Sequence, residues 1–241
     1  SFVQIPTSLL AQVDASVGGK TAINHPLGKN MIGSFYQPKQ VIIDLNTLKT
    51  LPVREFRSGL AEIIKYALLV GDIFLDELEQ LLASGLTVDN PKLSYVIAEC
   101  CRIKAQFVEV DERERGSRAL LNLGHTFAHA LETYTEYTRW LHGEAVAIGL
   151  YCAALLSHKI GLINSSQVHQ VEQLLINAQL PHKIPNEFDV YQLMDLMGLD
   201  KKIKNNHLHF VVIKKPGECF LDDTITKECV LETLITAKQG E

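Results

Sequence analysis

The sequence predicts a mainly α-helical chain: the end of an α/β unit over residues 1–50, then a multihelical region over 51–241 with a small β-hairpin near the C-terminus. Three observations carry this. Short β-rich runs separated by glycine fill the first 50 residues, apolar residues recur with helical period from Leu51 onward, and Lys215-Pro216-Gly217 divides two apolar stretches late in the chain. The 241 residues are 46% apolar and 21% charged, which supports a packed core. No internal repeat of fixed period is present, which argues against a solenoid.

Phe2–Ile5 and Gln40–Asp44 read as buried strands, and Val13–Asn24 as a further β-rich run around Gly18 and Gly19. Pro52 suits a helix start, and Leu60–Val70 is apolar at nine of eleven positions, with Glu62 and Lys65 as the exceptions. Asp72–Ala83 is amphipathic. Asn90-Pro91 has the order that opens a third helix, running to about Arg113, with Asp111–Arg115 as its solvated end. Helices are further expected over His125–Tyr134, Gly143–Ile160, Ser166–Gln179 and Val190–Met197, and the hairpin over Leu208–Lys214 and Glu218–Leu221.

A net charge of −5 and a pI near 6.0 argue against a general nucleic-acid or anionic-membrane binder, so any anionic ligand must meet a local cluster of cations. Five cysteines without a C-x-x-C spacing indicate neither a disulfide framework nor a cysteine zinc site, and read as reduced thiols of a cytoplasmic protein. The longest apolar run, Ala145–Leu156, falls short of the roughly 20 residues a spanning helix needs. Ser1-Phe2-Val3-Gln4-Ile5-Pro6 looks like a strand entered midway, so the chain is expected to be a piece of a longer protein.

Val17-Gly18-Gly19-Lys20-Thr21 invites a P-loop reading but has Asp14 where that motif needs glycine. Lys20, Lys29 and Asn30, in two glycine-containing turns, suit a phosphate or carboxylate; a flexible turn is the plainer alternative. His125 and His129, four apart on a helix, could share a metal, and His142-Gly143-Glu144 could bring a third ligand; ordinary core or surface histidines are the alternative. The zincin pattern is absent, since Thr126 follows His125. Glu62 on its apolar helix must be metal-bound or paired with Lys65. Two histidines and one carboxylate would leave coordination positions open, as catalytic zinc requires. Lys104 and Arg118 add cations close in sequence to the histidine helix, or are solvated surface charges.

Taken together, Asp14–Thr21, Gly28-Lys29-Asn30, Gly59–Lys65, Asn122–Ala130 and His142–Val146 resemble the 3-dehydroquinate synthase family, in five ordered motifs. The resemblance implies the multihelical C-terminal domain of the dehydroquinate synthase-like fold, preceded by the end of a Rossmann-like NAD-binding domain whose glycine-rich turn is absent. It implies conversion of 3-deoxy-D-arabino-heptulosonate 7-phosphate to 3-dehydroquinate and phosphate in the shikimate route, with transient NAD redox and catalytic zinc or cobalt. It assigns the metal to Glu62, His125 and His142, making His129 a substrate contact instead of a ligand. It places Lys20, Asn30 and His129 at the phosphate, Lys104 and Arg118 at the carboxylate, and Asp14, Lys65 and Asn122 at the ring hydroxyls. From the late lysine pair it favours Lys201 over Lys202. Thr7, Ser8, Lys20, Lys29 and the stretch Thr47, Leu48, Lys49 and Thr50 match positions that touch NAD. An arginine the family places just before residue 1 is missing, and Ser8 and Ala15 stand where threonine and serine are common. The expected partner is a small sugar phosphate, with no nucleic acid or membrane, in a cytoplasmic enzyme that is homodimeric at full length; the isolated chain is expected to be inactive. The alternatives are an inosose or valiolone synthase, or a non-catalytic metal-binding domain.

Overall fold

The computed structural model describes residues 1–25, 28–199 and 209–238, and side chains at all of these except 24, 25, 28–31 and 199. Its first four strands are Val3–Gln4 (β1), Lys20–His25 (β2), Gly28–Phe35 (β3) and Gln40–Val41 (β4). β1 and β4 pair in parallel, as the end of an α/β unit requires. β2 and β3 form an antiparallel hairpin that registers Lys20 with Phe35 and His25 with Gly28.

This region departs most from expectation. The run expected over Val13–Asn24 becomes a strand only at Lys20, because Ala11–Ala15 form a helical turn. Leu9 and Val13, one helical turn apart, are both fully buried in the core. Between them the buried Gln12 amide faces Pro6 O, Asp44 O and Thr47 Oγ1 at 3.1–3.3 Å, tying three stretches of backbone together. Gly28-Lys29-Asn30, expected as a turn, lies within β3, several residue pairs from Lys20. The strand expected to reach Asp44 ends at Val41, and the Asp44 carboxylate caps the turn Leu45–Thr50 by accepting from Asn46 N at 2.9 Å.

The helices are Val53–Val70 (α1), Asp72–Ala83 (α2), Leu93–Val110 (α3), His125–Tyr134 (α4), His142–Lys159 (α5), Ser165–Asn177 (α6), Val190–Leu199 (α7) and Lys227–Lys238 (α8). Phe210–Lys215 (β5) and Glu218–Asp222 (β6) form the expected hairpin. α3 stops short of Arg113 because the Asp111 carboxylate turns back to accept from the backbone N–H groups of Arg115, Gly116 and Arg118. Asp111–Arg115 is therefore a folded strap beyond the helix, with Glu112, Arg113 and Arg115 exposed as expected. α8 was not anticipated, although Val230, Leu234 and Ala237 are buried at helical spacing.

α5 stands between two hydrophobic clusters. Ala145, Val146 and Leu150 join the cluster of Leu60, Ile64 and Leu68 from α1 with Leu9, Val13 and Leu48. Ile148, Cys152 and Leu156 join Phe127, Leu193, Phe210 and Leu234. Glycine permits the close approach of α5 to its neighbours: a Cβ on Gly143 would lie 1.8 Å from Ser58 O of α1, and one on Gly149 would lie 2.1 Å from Gly124 O. Gly124 itself, at φ +77°, makes the sharp turn that starts α4. These contacts bring the first residues of α4 and α5 against the middle of α1. No helix among the described residues is long and apolar enough to cross a membrane.

Candidate functional site

The middle of α1 presents Glu62, and the first residues of α4 and α5 are His125 and His142. Their donor atoms cluster within 4.8 Å, and each imidazole Nε2 lies 3.5 Å from Glu62 Oε1. Donors held about 2.0–2.2 Å from one tetrahedral ion stand roughly 3.3–3.6 Å apart, so the two separations from Glu62 Oε1 match a zinc-type centre. Glu62 is fully buried, yet neither of its carboxylate oxygens accepts a well-aligned hydrogen bond. Lys65 Nζ is ion-paired with Glu62 Oε2, which leaves Oε1, facing both imidazoles, as the buried acceptor that a further cation would satisfy. The residues therefore fit a divalent metal.

The surroundings set the charge of each group, and His142 must give up a proton before it can hold a metal. Burial alone would raise the Glu62 carboxyl, but Lys65 beside it and the two imidazoles hold it well below the usual range. Burial lowers His125 to about 4, which keeps it a neutral donor, and its Nδ1 lies 3.1 Å from Leu123 O. Burial opposes charge on His142 as well, but Glu132 and Glu62 outweigh it and raise His142 to about 10. Glu132, buried on α4, holds His142 Nδ1 at 3.2 Å, the outer carboxylate that orients a metal-binding histidine. Sequence reasoning missed Glu132, although it sits seven residues after His125 on the same helix face.

Next to the triad lies a charged cluster. Lys65 touches Glu62 and stands 3.9 Å from Asp14 Oδ1, while Lys104 Nζ donates to Asp14 Oδ1 at 2.8 Å and to Asp14 O at 2.6 Å. Tyr66 Oη, not anticipated, donates to the same carboxylate at 2.5 Å. Burial raises the Asp14 carboxyl, but Lys104 and Lys65 bring it down to about 2. Lys104 itself falls below its usual value, because burial outweighs the attraction to Asp14.

Lys20, Arg118 and Asn122 come together on the strap side. Arg118 is almost fully buried and donates to Gly18 O at 2.8 Å and to Glu112 O, with no carboxylate partner among the described residues. Lys20 pairs with Glu114, which also accepts from Asn122 Nδ2 at 2.5 Å. Glu114 was not anticipated as a site residue. His129 packs one turn beyond His125, ring centroids 5.6 Å apart, and is not part of the metal-type cluster.

Thr7 is exposed, and Ser8 Oγ accepts from Ala11 N at 3.3 Å. In the facing turn, Thr47 Oγ1 bonds Asp44 O, Leu48 is buried, and Lys49 and Thr50 are exposed. Lys29 and Asn30 lie on β3 with side chains outside the described set, and Lys201 and Lys202 lie outside the described residues.

The fold is that of the sugar-phosphate cyclases. The chain superposes with a TM-score of 0.88 on the 2-epi-5-epi-valiolone synthase ValA of Streptomyces hygroscopicus subsp. jinggangensis 5008, solved with NAD+ and Zn2+ bound, at 26% identity over 98% of this chain and 65% of that one. A 2-deoxy-scyllo-inosose synthase complexed with carbaglucose-6-phosphate, NAD+ and Co2+ gives a TM-score of 0.83 at 25% identity, covering 98% of this chain and 66% of that one. Residues 1–58 match the 3-dehydroquinate synthase N-terminal profile and 59–203 the 3-dehydroquinate synthase C-terminal profile. The 3-dehydroquinate synthase of Legionella pneumophila (strain Paris) is 69% identical over 240 residues, 100% of this chain and 65% of the relative. The chain belongs to the 3-dehydroquinate synthase family, and it spans just under two thirds of the length of that curated relative.

Proposed function

We propose that this chain is the metal- and substrate-binding part of a 3-dehydroquinate synthase, with residues 1–50 contributing the end of the NAD-binding unit and 51–241 the helical domain. The reaction is loss of phosphate from 3-deoxy-D-arabino-heptulosonate 7-phosphate to give 3-dehydroquinate. One observation carries the reading: a fully buried Glu62, whose Oε1 has no hydrogen-bond donor, stands 3.5 Å from two imidazoles in a chain 69% identical to an enzyme of that name. The relation to valiolone and inosose synthases is much more distant in sequence.

Glu62, His125 and His142 would hold the metal, and Thr7, Ser8, Lys20, Lys29 and Thr47–Thr50 would meet NAD from this side of the cleft. When bound, the metal polarises a substrate oxygen and NAD exchanges a hydride with the ring. The chain's own residues bind and orient. Arg118, a buried cation whose guanidinium hydrogen-bonds two carbonyls among the described residues, and Lys104 suit the carboxylate. Lys20, Asn30 and His129 take the phosphate, with Lys201 beside the substrate. Asp14, Lys65 and Asn122 present an ionised acceptor, a cation and an amide to the ring hydroxyls, and Asp14 stays ionised at neutral pH because Lys104 and Lys65 flank it. All five cysteines are free, which supports a reducing, cytoplasmic setting. The whole enzyme is read as a homodimer.

The test is phosphate release from the heptulosonate phosphate and, separately, from sedoheptulose 7-phosphate. It compares the 241-residue chain alone with the same chain fused to the remaining N-terminal portion of the Legionella relative. Release from the heptulosonate by the fusion, and none by the chain alone, is expected. Preference for sedoheptulose 7-phosphate would move the assignment to another cyclase, and NAD-insensitive turnover by the chain alone would remove the redox mechanism.

A further inference from the structure

Glu144, in the first turn of α5, touches none of the metal-type donors, yet its carboxylate binds on three sides. Oε1 accepts from Arg54 Nε at 2.7 Å, and Oε2 accepts from Arg54 Nη2 at 2.7 Å and from Leu141 N at 2.8 Å. Arg54 Nη2 also donates to Arg139 O at 3.0 Å. A planar guanidinium on a carboxylate in this forked form fixes direction as well as distance. Leu141 immediately precedes His142. On the other side of His142, Gly143 N donates to Ser58 Oγ at 3.1 Å, and Gly143 is pressed so closely on Ser58 O that no side chain fits.

His142 is thus pinned through both chain neighbours to one helix, α1, which also carries Glu62 two turns beyond Arg54. We propose that Arg54 and Glu144 are positioning residues: a clamp between the first turns of α1 and α5 that sets the His142 Nε2 to Glu62 Oε1 separation and with it the affinity of the metal centre. The clamp rests on the metal reading above. A capping acid at a helix N-terminus would by itself explain the Leu141 contact. It does not explain a forked arginine brought from 90 residues away that also ties down the 139–141 turn.

Arg54 is 59% exposed, so its loss removes little stability and the variant remains foldable. Metal affinity is measured by competition with a chromophoric chelator for zinc, and coordination by the visible absorption of the cobalt-loaded chain. The variants are Arg54→Ala, Arg54→Lys and Glu144→Gln, with Arg102→Ala, an exposed pair on α3, as control. Affinity should fall roughly 10-fold or more in Arg54→Ala, the range seen when support behind a ligand is lost. Arg54→Lys keeps the charge without the fork and should regain the melting temperature of the metal-free chain but not the affinity. The cobalt spectrum should change in both, and Arg102→Ala should match the parent. Parental affinity and spectrum in Arg54→Ala and Glu144→Gln, with only a lower melting temperature, would make the pair structural and overturn the proposal. If His125→Ala still abolishes binding in that case, the metal centre stands without the clamp. A parent chain that takes up no metal would overturn both.

Discussion

The two halves of the site are prepared in opposite ways. On the metal side, Glu62, His125 and His142 come from three helices locked by glycine contacts, and Glu62 Oε1 is left without a hydrogen-bond donor while Lys65 pairs with Oε2. On the anion side the donors are already taken: Lys20 and Asn122 share Glu114, Lys104 holds Asp14, and Arg118 holds two carbonyls. A cation entering the first half meets Glu62 Oε1 and two imidazole nitrogens, with Lys65 already on Oε2. An anion entering the second half must replace contacts the protein makes with itself. Metal affinity should therefore respond sharply to single substitutions, and anion affinity only modestly.

The largest expected effect is on the metal side. His125→Ala should lower zinc affinity by more than the roughly 10–100-fold typical of losing a supporting residue, whereas His129→Ala should leave it within about 2-fold, both read by chelator competition. Equal losses would restore the i, i+4 histidine pair as the site. Glu132→Gln keeps the shape behind His142 Nδ1 but removes the charge, and should cost roughly 10-fold.

The anion side gives smaller effects. Asp14 is depressed from 3.8 to about 2, so its stabilising contribution is fully present above pH 4 to 5 and is lost as pH falls through 2. Urea unfolding should show Asp14→Asn about 2 kcal/mol less stable than the parent at pH 7, with the gap closing between pH 4 and 2. A gap constant down to pH 2 would mean that Asp14 does not titrate against its lysines. Smallest is Glu114→Gln, which frees Lys20 from a partly exposed ion pair worth no more than about 1 kcal/mol. Inorganic phosphate should then bind up to about 5-fold more tightly, and the gain should vanish in about 1 M salt. Weaker phosphate binding would show that Glu114 supports the site instead of occupying it.

The same contrast runs through what could be read from the sequence. α2 and α4 fall on the residues expected, because their apolar period and flanking turns are local signals. Spacing and burial cost point to Glu62, His125, His129 and His142 as candidate ligands, and only the family resemblance sets His129 aside; spacing shows that His125 and His129 share a helix face, but not that three separate helices meet. Glu132 was available from the i, i+7 spacing and was passed over. The pairing of Arg54 with Glu144 was not available, since 90 residues separate them. The first 50 residues were hardest, since a buried amide decides the path at Ala11–Ala15 and a cross-strand register decides β3. Glu114 was hidden in a run that looked solvated and is folded by Asp111.

Glu62, His125 and His142 are proposed to form one metal centre. The most direct test is anomalous X-ray scattering at the zinc edge from crystals of this chain grown with stoichiometric zinc. A single strong peak about 2.0–2.2 Å from a Glu62 oxygen and from Nε2 of His125 and His142 is the result expected. A peak at His129 without His142, or none within reach of Glu62, would contradict it.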